Sequence, residues 1–158
     1  MLNHYNDLEI QKSSFCGTGL ANSTTSLQNS STTTCIPIGV YTKYNNLGTV
    51  TSAGGVTIPK GTYLISAACY ITSTSITGRV SRGVFVKDSS ASSGNEILAS
   101  IEHQNATNAQ VMGAVAAAAK LVTIDSSKTL YLHARCVGTT ATVANDNIST
   151  YLSILRIR

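Results

Sequence analysis

Along much of this chain the hydrophobic positions recur every second residue, in short runs broken by Gly, Ser, Asn and Asp. A period of two is that of a β-strand, whose side chains point alternately to opposite faces. The clearest run is GTYLISAACYI at 61–71. Tyr63, Ile65, Ala67, Cys69 and Ile71 fall on one face; Leu64, Ser66, Ala68 and Tyr70 fall on the other. The terminal stretch STYLSILRIR repeats the pattern, with Tyr151, Ser153, Leu155 and Ile157 alternating against Leu152, Ile154 and Arg156. Both runs carry apolar or small residues on both sides, which predicts strands covered on both faces.

Other runs fill in an all-β chain. CIPIGVY at 35–41 predicts a first firm strand, which Pro37 confines to an edge or a strand start. Thr49–Ile58 contains Gly54-Gly55, a turn or bulge before VTIP. RVSRGVFVK at 79–87, Ile97–Ile101, Val111–Ile124 and Thr129–Val137 predict further strands, with DSSASSGN as a turn and 138–149 as a polar loop. Ala114–Ala119 favours helix by propensity. It is too short to hold a helix alone, and its neighbours Val111, Val115, Leu121, Val122 and Ile124 suit a strand. Phe15 to Thr34 is nearly all Ser, Thr, Asn and Gly, which predicts loop or weak edge strand. Residues 1–13, with His4, Tyr5, Asp7, Glu9 and Lys12, differ in character. They read as an N-terminal arm or attachment peptide, with a frayed terminus as the alternative. Residues 14–158 read as one antiparallel β-sandwich or barrel.

Composition narrows the function classes. A hydrophobic content of 42% excludes a disordered chain, although only 11% of residues are charged. The net charge of +4 is thinly spread; its densest spots are Arg79 with Arg82 and Arg156 with Arg158. A basic stripe interleaved with stacking aromatics is missing, so no nucleic-acid partner is expected. No apolar run approaches the roughly 18 residues of a membrane span, so no membrane insertion is expected. MLNHYNDLEIQKSS has neither a basic n-region nor an apolar h-region, so synthesis in the cytoplasm without a signal peptide is expected. Cys16, Cys35, Cys69 and Cys136 form no C-x-x-C pair. That argues against zinc and for free thiols, with one disulfide as the alternative. N-x-S/T sequons at Asn22, Asn29, Asn105 and Asn147 are what chance supplies in so Ser-, Thr- and Asn-rich a chain.

Candidate chemistry is sparse. His4 lies in the arm, His103 in the polar SIEHQNATN stretch that predicts a surface loop, and His133 in mid-strand beside Tyr131 and Arg135. Asp88, Glu96, Glu102, Asp125 and Asp146 are isolated in sequence, and no phosphate-binding glycine motif occurs. No catalytic centre, metal or cofactor is expected.

Four segments carry a resemblance by their order: GTYLISAACYI, RVSRGVFVK, LVTIDSSKTLYLHAR at 121–135 and TYLSILRI at 150–157. Together they resemble the TNF/C1q-like jelly roll, of the kind found in bacteriophage virion proteins, over roughly residues 35–158. One departure is Asp125-Ser126-Ser127-Lys128, where many members have Gly-Asp. The resemblance implies a homotrimer whose inner sheets pack around a threefold axis. Tyr151, Ser153 and Leu155 would face that axis beside Leu64, Ser66, Ala68, Ala117 and Ala119, while Tyr63, Ile65, Leu152 and Ile154 fill the subunit's own core. Arg156 would fall on the core side and must reach solvent or a carboxylate. The alternative is that one chain covers both faces itself. The implied function is a non-enzymatic virion structural protein: a trimeric phage spike, fibre head or capsid decoration knob, on the virion surface. Its arm would dock on other virion proteins and its loops would meet a host cell-surface glycan or protein. A stand-alone carbohydrate-binding module is the second reading, with Tyr41 and Tyr44 as stacking or receptor-contacting aromatics.

Overall fold

The computed structural model describes residues 14–18, 24–27, 36–38, 41–51, 54–144 and 149–157. These form eleven strands: β1 (Ser14–Thr18), β2 (Thr24–Leu27), β3 (Ile36–Pro37), β4 (Tyr41–Asn45), β5 (Thr49–Val50), β6 (Val56–Ile58), β7 (Gly61–Lys87), β8 (Glu96–Ile124), β9 (Lys128–Val137), β10 (Ala141–Ala144) and β11 (Tyr151–Arg156). Every pairing is antiparallel.

The scaffold is one long hairpin. β7 and β8 pair from Gly61 opposite Ile124 to Lys87 opposite Glu96, with the register interrupted between Ser73 and Gly78. Each side of that interruption belongs to a different sheet. Residues 63–68 of β7 take β11 as their second neighbour, and β1 and β4 continue outward to give an inner sheet. Residues 81–87 take β9, and β6 and β5 continue to give an outer sheet. β10 joins β7 at Ile71 and Thr72 and carries β2, while β3 joins β9 at His133 and Ala134.

The sheets close on one core. Tyr63, Ile65, Ala67, Cys69, Ile71, Leu152 and Ile154 from the inner sheet share a buried cluster with Val84, Val86, Leu130, Leu132 and Ala134 from the outer. Each large aliphatic side chain here contributes about 1.5–3 kcal/mol through removal from water. Tyr63 keeps its ring in the core while its hydroxyl donates to the Pro59 carbonyl at 2.7 Å. The β5–β6 turn needs Gly54 at φ +75°, a conformation disfavoured for side-chain-bearing residues.

Several sequence expectations need correction. Arg79–Lys87 is no separate strand but the continuation of β7, and Ile97–Ile101 and Val111–Ile124 are two stretches of β8. His103 lies on β8, not in a loop. Of the Phe15–Thr34 stretch, expected as loop or weak edge strand, β2 is an edge strand on β10, but β1 lies between β11 and β4 and its Phe15 is a core residue. The expected loop at 138–149 holds β10, with Ala141 and Val143 buried. Among the described residues of 35–41, Ile36–Pro37 pair with β9 and Tyr41 opens β4. The Ala-rich stretch is strand, as its neighbours required. Cys16, Cys69 and Cys136 are free thiols. The N-terminal arm (1–13) and Cys35 lie outside the described residues.

Candidate functional site

Opposite residues of an antiparallel pair point to the same side, so register alone assembles the outward face of the inner sheet. It consists of rows running across β8, β7, β11 and β1. The first row is Leu121, Leu64, Leu155 and Ser14. The next is Ala119, Ser66, Ser153 and Cys16, and the third Ala117, Ala68, Tyr151 and Thr18. All eight residues expected at a threefold axis therefore share one surface. Leu64 is 41% exposed and Leu121 61% exposed, Ala117 and Ala119 are open, and Ser66, Tyr151, Ser153 and Leu155 are half-buried. Ala68 is already buried within the chain.

No residue in these three rows is charged. An antiparallel sheet with one solvated face ordinarily reads apolar inside and polar outside. Here leucine, alanine and serine stand where Lys, Glu and Thr are usual. Arg156 avoids the problem expected of it: exposed at the rim, it donates from Nη2 to the Lys60 carbonyl at 3.0 Å. Tyr41 and Tyr44 lie on β4, opposite Thr18 and Cys16 of β1.

The polar candidates gather on the outward face of the outer sheet. Ser81 Oγ lies 2.7 Å from His103 Nδ1 across the β7–β8 pair. The pair is exposed, and among the described residues no carboxylate orients the imidazole, so it lacks the third member of a nucleophilic triad. His133 is fully buried with Nε2 2.9 Å from the Ser89 carbonyl, which fastens the 88–95 turn over this face. Lys87 supports the same turn through the Ser92 carbonyl at 2.6 Å. Among the described residues no three His, Cys, Asp or Glu side chains group as metal ligands. Burial pushes the Cys69 thiol far above its ordinary value, so it stays protonated and unreactive in the folded chain. Between the two stretches of β8 a groove of about 510 Å³ is lined by Leu98, Ser100, Ala118 and Lys120 among others.

No protein-family model matches this sequence, and no curated protein matches it either. Solved structures do. Eiger TNF from S. frugiperda superposes with a TM-score of 0.68 over 92% of each chain, at 11% identity. The chain therefore has a TNF-like jelly-roll fold, assembled from a sequence with little residue-level similarity to that protein.

Proposed function

We propose that this chain is a non-enzymatic virion structural protein that acts as a homotrimer: a phage spike, fibre head or capsid decoration knob with a part in host attachment. The observation that carries the assembly is the charge-free outward face of the inner sheet, with Leu64 and Leu121 among its exposed large hydrophobics. An apolar, small-residue surface without unpaired charge suits a fully desolvated interface. A threefold arrangement would bury the same face of all three copies at once. The virion context rests on the order of the resembling segments, with the N-terminal arm left to contact the particle.

Size-exclusion chromatography with light scattering tests the assembly. A particle of three times the 16.5 kDa chain mass is expected, and a monomer at micromolar concentration would overturn it. Labelled protein offered to phage particles and viewed by electron microscopy tests the context. Specific decoration of capsid or tail is expected.

A further inference from the structure

The outer sheet presents a second surface of opposite character. Arg79 stands opposite Asn105, Ser81 opposite His103 and Val137, and Gly83 opposite Ile101 and Arg135. The odd-numbered residues of β7 thus share one face with Asn105, His103 and Arg135. Arg79 and Arg135 are 56 positions apart in sequence, yet on this face only the Ser81 row lies between the Arg79 row and the Gly83 row to which Arg135 belongs. Arg135 lies over Phe85, its guanidinium carbon 5.0 Å from the ring centre. Gly83 makes room for that ring: a Cβ there would come within 2.7 Å of Phe85 Cε2.

Charge is not balanced on this surface. Among the described residues neither Arg79 nor Arg135 forms an ion pair with a carboxylate. Glu102 opposes Arg82, on the other side of the strand, and Glu96 sits 3.9 Å from Lys87 at the far end. Between the two arginines lies the exposed Ser81–His103 pair, joined through Nδ1. The result is a row of guanidinium, imidazole, hydroxyl and amide groups, with Ile101 and Val137 as apolar neighbours on the same face.

We infer that this row binds an acidic polysaccharide, one bearing carboxylate or sulfate groups on its sugars. Guanidinium matches either anion with two parallel hydrogen bonds. Ser81, His103 and Asn105 supply the neutral partners that sugar hydroxyls need. A nucleic acid is the poorer fit, because Phe85 is 1% exposed beneath Arg135 and no base can stack on it. The ligand surface is on the outer sheet and does not require threefold assembly, so it stands or falls separately from the trimer.

The test titrates the full chain with dextran sulfate, polygalacturonate, neutral dextran and oligo(dT), by calorimetry at 20 and 150 mM salt. Binding of at least one anionic polysaccharide and none of neutral dextran is expected, weakening as salt rises. The dextran sulfate and polygalacturonate arms separate sulfate from carboxylate as the anion preferred. Arg79→Gln with Arg135→Gln should weaken binding tenfold or more. Lys60→Gln with Lys120→Gln removes the same charge elsewhere and should stay within twofold. Arg79→Gln alone, at an exposed position, should weaken binding at least threefold and covers the case in which the double variant does not fold. Equal weakening by the lysine variant, tighter binding to oligo(dT), or no binding to either polyanion would each overturn the inference.

Discussion

The two outward faces of this sandwich are built on the same hairpin, yet they meet water differently. On the outer sheet, Phe85 is sealed beneath Arg135 and Lys87, the 88–95 turn is tied down by Lys87 and His133, and the surface is mostly charged or polar although Ile101 is 41% exposed there. On the inner sheet, Leu64 and Leu121 have no such cover, and the rows they share across the face hold no charged residue, Lys120 lying in the adjacent pair opposite the inward-facing Ile65. A chain that can finish one face with cations and a folded turn does not leave the other bare for want of means. The difference teaches that bareness here is a property to be explained, and the proposed homotrimer would explain it.

The largest expected effect breaks the bare face alone. Leu64→Glu with Leu121→Glu would place six carboxylates in a threefold interface, and an unpaired buried charge costs about 3–5 kcal/mol. The trimer should fall to monomers in light scattering, while far-ultraviolet circular dichroism stays that of a β-protein. Cys16, half-buried in the small-residue row, gives a second reading. Its alkylation, followed by peptide mapping, should be slow in the wild type and fast in the variant. Cys69 and Cys136 should resist alkylation in both until the chain unfolds.

Moving one residue along β11 reverses the outcome. Ile154 is fully buried, and Ile154→Ala should cost about 2–5 kcal/mol of chain stability. Its neighbour Leu155 looks outward, so Leu155→Ala should lower trimer affinity with little loss of stability in the isolated subunit. Denaturant titration of the two variants, each in the Leu64→Glu, Leu121→Glu background, checks the stability contrast, and light scattering of Leu155→Ala alone over a dilution series checks the affinity. On the outer sheet Gly83→Ala sharpens the other half of the comparison. The added methyl would displace the Phe85 ring and with it the platform of Arg135, at a cost of about 1–3 kcal/mol. A smaller shift in urea midpoint than Ile154→Ala is expected.

How much of this was legible depended on whether alternation or register carried the information. Period two sorted Tyr63, Ile65, Leu152 and Ile154 onto one face and Leu64, Ser66, Tyr151 and Ser153 onto the other, because strands of six or more residues display both faces. Which face is the core came from the jelly-roll resemblance, since both faces carry apolar or small residues. Phe15 was missed because SFCGT offers one large apolar residue among small ones, and a five-residue strand shows too little alternation. β10, ATVA, is shorter still. His103 was misplaced because HQN reads as loop by composition, whereas its strand is held by backbone pairing to β7. The arginines mislead most directly. Arg79 and Arg82 are three apart, an odd step that puts them on opposite faces, and Arg82 turns inward to Ser73 and Gln104. Arg135 joins Arg79 only through the β7–β9 register, which no local pattern encodes.

The smallest effect concerns what fastens the turn that covers the outer face. Asp88 accepts from the Asn95 side chain at 3.0 Å, from the Asn95 amide at 2.8 Å and from Lys128 Nζ at 3.3 Å. The Asn95 side-chain bond is the main cause that holds the carboxyl below its ordinary value, with Lys128 adding to it and burial opposing. A depressed folded-state pKa contributes stability that is present above the unfolded value of about 3.9 and disappears as pH falls through the folded one. Asp88→Asn should therefore be less stable than the wild type at pH 7, by less than about 1 kcal/mol because Lys128 is partly exposed. The two should converge toward pH 2.5, and urea midpoints at pH 7, 4 and 2.5 measure the closing gap. A gap that stays constant across that range would mean the carboxylate's charge has no part in holding the turn, leaving the Lys87 and His133 contacts to fasten it.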